Sequence, residues 1–121
     1  MYLLFKHESS ANFLFALWKR VRKYGAFLTG ITQNVEDLLQ SHTARTMLAN
    51  SELAVMRNQA ATDRAELADL MGISDLQMSY ISGAEAGHGL VKIGSSLVPF
   101  VNRVPKDTML YKRMTTKPGE T

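Results

Sequence analysis

The amino-acid sequence predicts an α/β domain with a mostly parallel sheet, flanked by helices and followed by a C-terminal β-hairpin. Two apolar runs, residues 26–32 and 53–56, carry almost no charge, as is typical of strands buried on both faces of a parallel sheet. A helical pattern separates them and completes a βαβ unit. In "GLVKIGSSLVPFVN", the turn around Gly94 divides two apolar stretches and predicts a hairpin with strands near 89–93 and 97–102.

The other elements are predicted to be helices, from the spacing of their apolar residues and from their caps. The first ends at Gly25, because glycine favours the position just after a helix C-terminus. Two later helices open with capping-box spacing, in which a Glu or Gln follows the cap by three residues. The predicted helices begin near Ser10, Asn34, Thr43, Asp63 and Ser74.

Composition limits the classes of function. The chain has 121 residues with 45% hydrophobic content, which is enough for the core of one domain. It has no cysteine, so disulfides, thiolate metal sites and a cysteine nucleophile are excluded. The three histidines lack metal-ligand spacing, and we expect no metal site. No apolar run approaches the ~20 residues that a membrane span requires, so the sequence predicts a cytoplasmic protein.

Amide side chains follow both predicted strands. Thr32, Gln33 and Asn34 end the first, and Asn58 and Gln59 follow the second. Ligands of open α/β sheets bind at the carboxyl ends of strands, and a glutamine there can hold a water or sense a phosphate by donating and accepting hydrogen bonds at once. The alternative is structural: Asn34 caps a helix and Gln33 satisfies buried backbone groups. The chain has no Gly-x-x-x-x-Gly-Lys-Ser/Thr segment, so it cannot cradle a phosphate alone.

Basic residues cluster at the end of the first predicted helix, where Lys19, Arg20, Arg22 and Lys23 occupy the last turns. Cations at a helix C-terminus are stabilised by the helix macrodipole, so this basic segment fits an ordinary solvated face. It also fits a patch that binds phosphate or nucleic acid. Both interpretations stay open, and the second supports an alternative function for the chain as a stand-alone nucleic-acid or protein-binding α/β module.

Three long stretches together resemble a known family: "WKRVRKYGAFLTGITQNVEDLL", "TMLANSELAVMRNQAATDRAELADLMGIS" and "GHGLVKIGSSLVPF". They resemble the C-terminal part of the large conjugation ATPase of type IV secretion systems, the fourth VirB component, over nearly all 121 residues. The versions from conjugative elements of Gram-positive bacteria are the most similar. In this family a RecA-like core of the FtsK and HerA type carries a Walker A lysine and a Walker B Asp-Glu, followed by a segment like "MYLLFK".

The resemblance implies a partial RecA-like P-loop core whose Walker A and Walker B segments lie upstream. Residues 1–104 would be the C-terminal portion of the ATPase domain, and residues 105–121 a poorly structured tail. The parent protein would bind ATP and Mg²⁺ and hydrolyse ATP to power DNA or protein translocation or pilus assembly. The isolated fragment would be inactive and would hold neither ligand tightly.

Partners and location are implied in the same way. The parent would form a hexamer, contact other type IV secretion components, and associate peripherally with the inner face of the cell membrane; DNA is a further candidate partner. The fragment would self-associate as a dimer or higher oligomer, because its sheet edge and part of its apolar surface would be uncovered.

The resemblance also assigns roles to residues. Gln33 matches a glutamine that senses the γ-phosphate or positions water, and this role requires Gln33 to end a central strand. The other candidates bind the nucleotide or act as arginines in trans across the hexamer. The candidates for binding the nucleotide are Thr32, Asn34, Asn58 and Gln59. The candidates for the arginine that acts in trans are Arg45 and Arg64, with Arg57 ranked last.

Overall fold

The computed structural model describes residues 2–58, 63–82, 85–116 and 118–119, which form a mixture of helices and a small sheet. The helices are α1 (Tyr2–Phe5), α2 (Glu8–Arg20), α3 (Glu36–Leu39), α4 (His42–Ala49), α5 (Arg64–Met71), α6 (Asp75–Met78) and α7 (Met109–Met114), and a 3₁₀ helix (Val21–Tyr24) continues α2. The strands are β1 (Leu53–Met56), β2 (His88–Ile93) and β3 (Ser96–Val101). The predicted α/β composition is therefore confirmed.

The N-terminal half is helical. Helix α2 and its 3₁₀ extension end at Gly25, as predicted, and Gly25 has the left-handed φ of 66° that favours glycine. Helix α2 packs against α4, and α3 also packs against α4. The Ser41 hydroxyl caps α4 by accepting a hydrogen bond from the Ala44 N–H at 3.3 Å. These helices form one layer of the chain.

The three strands form one antiparallel sheet in the order β1-β2-β3. Strands β2 and β3 form the predicted hairpin, and Gly94 lies in its turn with a φ of 58°. Strand β1 also forms, but it pairs with β2 of the hairpin, with Leu53 opposite Ile93, and not with a strand at residues 26–32. Proline 99 lies in β3, an edge strand of this sheet. No pairing among the described residues is parallel, so a parallel RecA-like sheet is not formed by them.

The prediction of a strand at residues 26–32 is wrong for the described chain. The segment has no regular secondary structure, and the side chains of Phe27 and Ile31 are 95% and 82% exposed. An apolar run becomes a strand only when a neighbouring strand accepts its backbone hydrogen bonds. The segment has no such neighbour among the described strands, so it is a loop between the 3₁₀ helix and α3.

The core lies between one face of the sheet and helices α5 and α6. Its most buried side chains, Leu67, Ile81 and Leu90, are each at most 2% exposed. The core cluster consists of these three together with Met56, Met71, Ile73 and Met78. Leu48 of α4 packs against it, which joins the helical layer to the sheet.

The other face of the sheet is apolar and exposed. Alternation along the strands puts Leu53, Val55, Ile93 and Val98 on this face, and all four are exposed. At its end the Phe100 ring lies over Gly89, where any side chain at residue 89 would collide with it. The described part of the chain therefore leaves much of this sheet face exposed.

The C-terminal stretch is mostly exposed but contains helix α7. The Thr108 hydroxyl caps α7 by accepting a hydrogen bond from the Tyr111 N–H at 3.2 Å. The predicted tail thus includes a capped helix, and the domain boundary at residue 104 stays a prediction.

Candidate functional site

The predicted phosphate-sensing residues lie in the loop that precedes α3. The Thr32 hydroxyl donates a hydrogen bond to the Asn34 carbonyl oxygen at 2.9 Å, and the Asn34 side-chain oxygen accepts one from the Glu36 N–H at 3.2 Å. These two bonds form a local turn just before α3, whose N-cap is Val35 and has no side-chain cap hydrogen bond, so the predicted helix cap at Asn34 is not formed. Gln33 lies between them and is exposed.

Gln33 does not end a strand in the described chain, because residues 26–32 form none. The requirement for its predicted role is therefore not met by this chain alone, and the role toward a phosphate stays a prediction. Asn58 is exposed two residues beyond the end of β1. Gln59 lies outside the described residues. The structure thus places Gln33 and Asn58 on exposed loops.

Arg45 has an internal role. One guanidinium nitrogen of Arg45 donates to the Leu39 carbonyl oxygen at 3.4 Å and to a Glu66 carboxylate oxygen, also at 3.4 Å. These bonds connect α4 to the end of α3 and to α5. Both contacts use the same guanidinium nitrogen, so they give Arg45 a role within the chain without deciding whether it acts in trans.

The other two candidate arginines flank the start of α5. Arg57 is exposed just after β1, and Arg64 is half-buried at the first residue of α5. Each has an interaction partner of its own within the chain. The structure therefore does not single out either of them as the arginine that acts in trans.

Sequence reasoning missed the role of Glu66. Its spacing from Asp63 fits a capping box, but Asp63 makes no side-chain cap hydrogen bond, and Glu66 pairs with Arg45 instead. The other predicted box is confirmed: Ser74 and Gln77 cap α6 reciprocally. A capping-box pattern is local, whereas the Arg45 pair joins residues 21 positions apart and had no local signal.

The basic segment, Lys19 to Lys23, is partly engaged. The Lys19 ammonium lies 4.3 Å from the centroid of the Phe15 ring, and Arg22 pairs with Glu52 at 3.0 Å. Both contacts lie on the protein surface and are weak, but they occupy two of the four cations. Neither open interpretation of the segment is decided by this geometry.

Two grooves of the described surface lie away from these residues. One of them, of about 420 Å³, is lined by Phe5, Lys6, Asp37, Gln40 and Ser41. It contains none of the predicted site residues. Among the residues that the structure describes, no group of His, Asp or Glu side chains could hold a metal ion, and no helix could span a membrane.

Comparison with known proteins gives an informative similarity. No protein-family model matches the chain, and no curated protein matches it either. Among solved structures, it is similar to VirB4 of Thermoanaerobacter pseudethanolicus, with a TM-score of 0.72 and 26% sequence identity. The match covers 82% of this chain but only 28% of that protein. The chain is therefore similar in structure to a region of VirB4 and spans less than a third of that protein's length.

Proposed function

We propose that the chain is a region of a VirB4-like type IV secretion ATPase, which acts in conjugative transfer in a Gram-positive element. The observation that carries this proposal is the structural similarity to VirB4 over 82% of the chain, at 26% identity. In this proposal the whole protein hydrolyses ATP to power the movement of DNA or protein, or pilus assembly. It works at the inner face of the cell membrane with other components of the secretion system.

The residues of this chain do not by themselves form a nucleotide site. Gln33 is in an exposed loop, Arg45 is paired internally, and the sequence has no phosphate-cradling glycine-rich segment. We therefore propose that ATP and Mg²⁺ are bound mainly by other segments of the longer protein. This chain would supply Gln33, Asn34 and Asn58 once those segments are present.

The exposed apolar run at residues 26–32 supports the proposal that other segments of the longer protein complete the site. Burial of a large apolar side chain such as Phe27 or Ile31 is worth roughly 1.5–3 kcal/mol. A neighbouring strand from the longer protein would cover this run and pair with its backbone. Gln33 would then stand at the end of a strand, which its proposed role requires.

The test is ATP hydrolysis by the longer protein that contains this chain. Its reading frame should encode an Asp-Glu pair and a P-loop. The Gln33→Ala variant should lower kcat by about 100-fold if this side chain positions water or senses the γ-phosphate. Gln40→Ala is the matched control, because Gln40 is an exposed glutamine at the end of α3. Equal rates for the two variants would refute the role of Gln33, and absence of a P-loop would refute the ATPase assignment.

Self-association is part of the proposal. The uncovered sheet face and the loop at residues 26–32 leave apolar surface in water, which favours contact with another copy. Light scattering after size-exclusion chromatography should show a mass that rises with concentration. A monomer at high concentration would contradict it.

A further inference from the structure

The charges of the chain are segregated along its sequence. Residues 36–85 contain eight carboxylates and three cations, whereas residues 103–117 contain five cations and one carboxylate. Helices α5 and α6 lie in the acidic stretch, and α7 lies in the basic one. Surfaces of opposite charge attract one another and steer association. The stretches that hold these helices thus differ in the sign of their charge.

Helix α7 is the basic surface. Its side chains Met109, Leu110 and Met114 are 68%, 62% and 72% exposed. Lys112 and Arg113 follow in its last turn and have no ion-pair partner within the described ranges. No described element packs extensively against α7. It is therefore a capped helix whose apolar side chains and cations are available to another surface.

The acidic surface lies on α5 and α6, which contact each other. Leu76 on α6 is 76% exposed, and Tyr80, in the turn that follows α6, is 45% exposed. Asp75 precedes Leu76, and Asp69 is on the exposed side of α5. Neither carboxylate has an ion-pair partner in the part of the chain that the structure describes. This surface pairs exposed apolar side chains with carboxylates, as α7 pairs them with cations.

We infer that α7 of one copy docks on the α5–α6 surface of a second copy. Met109, Leu110 and Met114 supply the apolar contact with Leu76 and Tyr80, and the cations of α7 meet the two aspartates. The opposite charges of the two surfaces favour another copy as the occupant, since α7 does not pack extensively on the α5–α6 surface of its own chain. The inference deepens the proposed self-association and rests on it, but it does not rest on ATP hydrolysis.

The contact is head-to-tail, because each copy offers two different surfaces. A head-to-tail contact produces a closed ring or an open filament and not a two-fold dimer. Exposed ion pairs contribute modestly and are screened by salt, so the association should weaken between 50 mM and 500 mM NaCl.

A charge swap in the 121-residue chain tests this contact. The Lys112→Glu/Arg113→Glu variant and the Asp69→Lys/Asp75→Lys variant should each associate about 10-fold more weakly than the unmodified chain at low salt. Mixed together, the two variants should associate again, because each α7 then meets a partner of opposite charge. Analytical ultracentrifugation measures the dissociation constants, and circular dichroism checks that each variant is folded.

The matched control is Arg20→Glu/Lys23→Glu, which changes the net charge by the same amount on another part of the surface. It should leave the dissociation constant within about 2-fold of the original. Leu110→Ser should weaken association without a change in charge. Equal weakening by the control, or failure of the mixed variants to associate, would overturn the docking. An inactive longer protein that still assembles through α7 would refute the ATPase role alone.

Discussion

Substitution of Gly89 by alanine should destabilise the chain. A β-carbon at residue 89 would lie 2.5 Å from the Met56 carbonyl oxygen and 2.6 Å from the Phe100 ring. Both distances are well below ordinary van der Waals contact. In an open strand the same substitution would stabilise the protein by roughly 0.5–1 kcal/mol, because glycine loses more backbone entropy on folding. The sign of the change in the free energy of unfolding therefore tests whether the two contacts exist.

The two contacts differ in how they can relax. The Phe100 ring is a side chain and can rotate away, whereas the Met56 carbonyl belongs to the backbone of β1, whose pairing with β2 would have to shift. Overpacking of this kind costs about 1–3 kcal/mol. We expect Gly89→Ala to lower the free energy of unfolding by about 2 kcal/mol. In a Phe100→Ala background the cost should fall but not vanish.

Urea denaturation followed by circular dichroism measures these changes. A loss of 2 kcal/mol lowers the midpoint by about 1 M, given slopes of 1–3 kcal/mol/M. If the Gly89→Ala variant is as stable as the original chain, the close approach of β1 and β2 at this position is refuted. Complete rescue by Phe100→Ala would show that the ring alone, and not the carbonyl, limits the space.

Three further predictions concern the core, the Arg45 pair and nucleic acid. Leu90→Ala should lower the free energy of unfolding by about 3 kcal/mol, measured by urea denaturation. Ile93→Ala, on the exposed face of the same strand, should lower it by less than about 1 kcal/mol. Equal losses would place the core elsewhere. Arg45→Ala should cost about 1 kcal/mol of folding stability even without nucleotide, and no loss would remove its structural role. If the basic segment binds duplex DNA, a fluorescence titration should show an affinity that falls steeply with salt; a flat salt response would exclude a phosphate patch.

Local features of the fold were predictable from sequence. The hairpin around Gly94 and the helix end at Gly25 both depend on one glycine with positive φ, and the box at Ser74 depends on residues three apart. These signals are complete within a few residues. They need no information about distant parts of the chain.

Features that depend on a distant partner were predicted less well. The apolar run at residues 26–32 has strand composition, but composition does not provide the neighbouring strand that its backbone requires. For the same reason β1 was predicted as a strand but not its antiparallel pairing with β2. The Arg45–Glu66 pair joins two helices, so its sequence spacing carried no signal. The candidate site depends on such long-range features, and Gln33 shows this most clearly.

The two borders of the sheet differ in their capacity to recruit a further strand. Proline has no N–H to donate, and in sheets its nitrogen points away from the ladder on an edge strand. Pro99 therefore interrupts the row of donors along the outer border of β3, while Leu53–Met56 presents an unbroken one. Growth of the sheet is thus directional: an incoming β-segment, from this polypeptide or another, is expected to add beside β1.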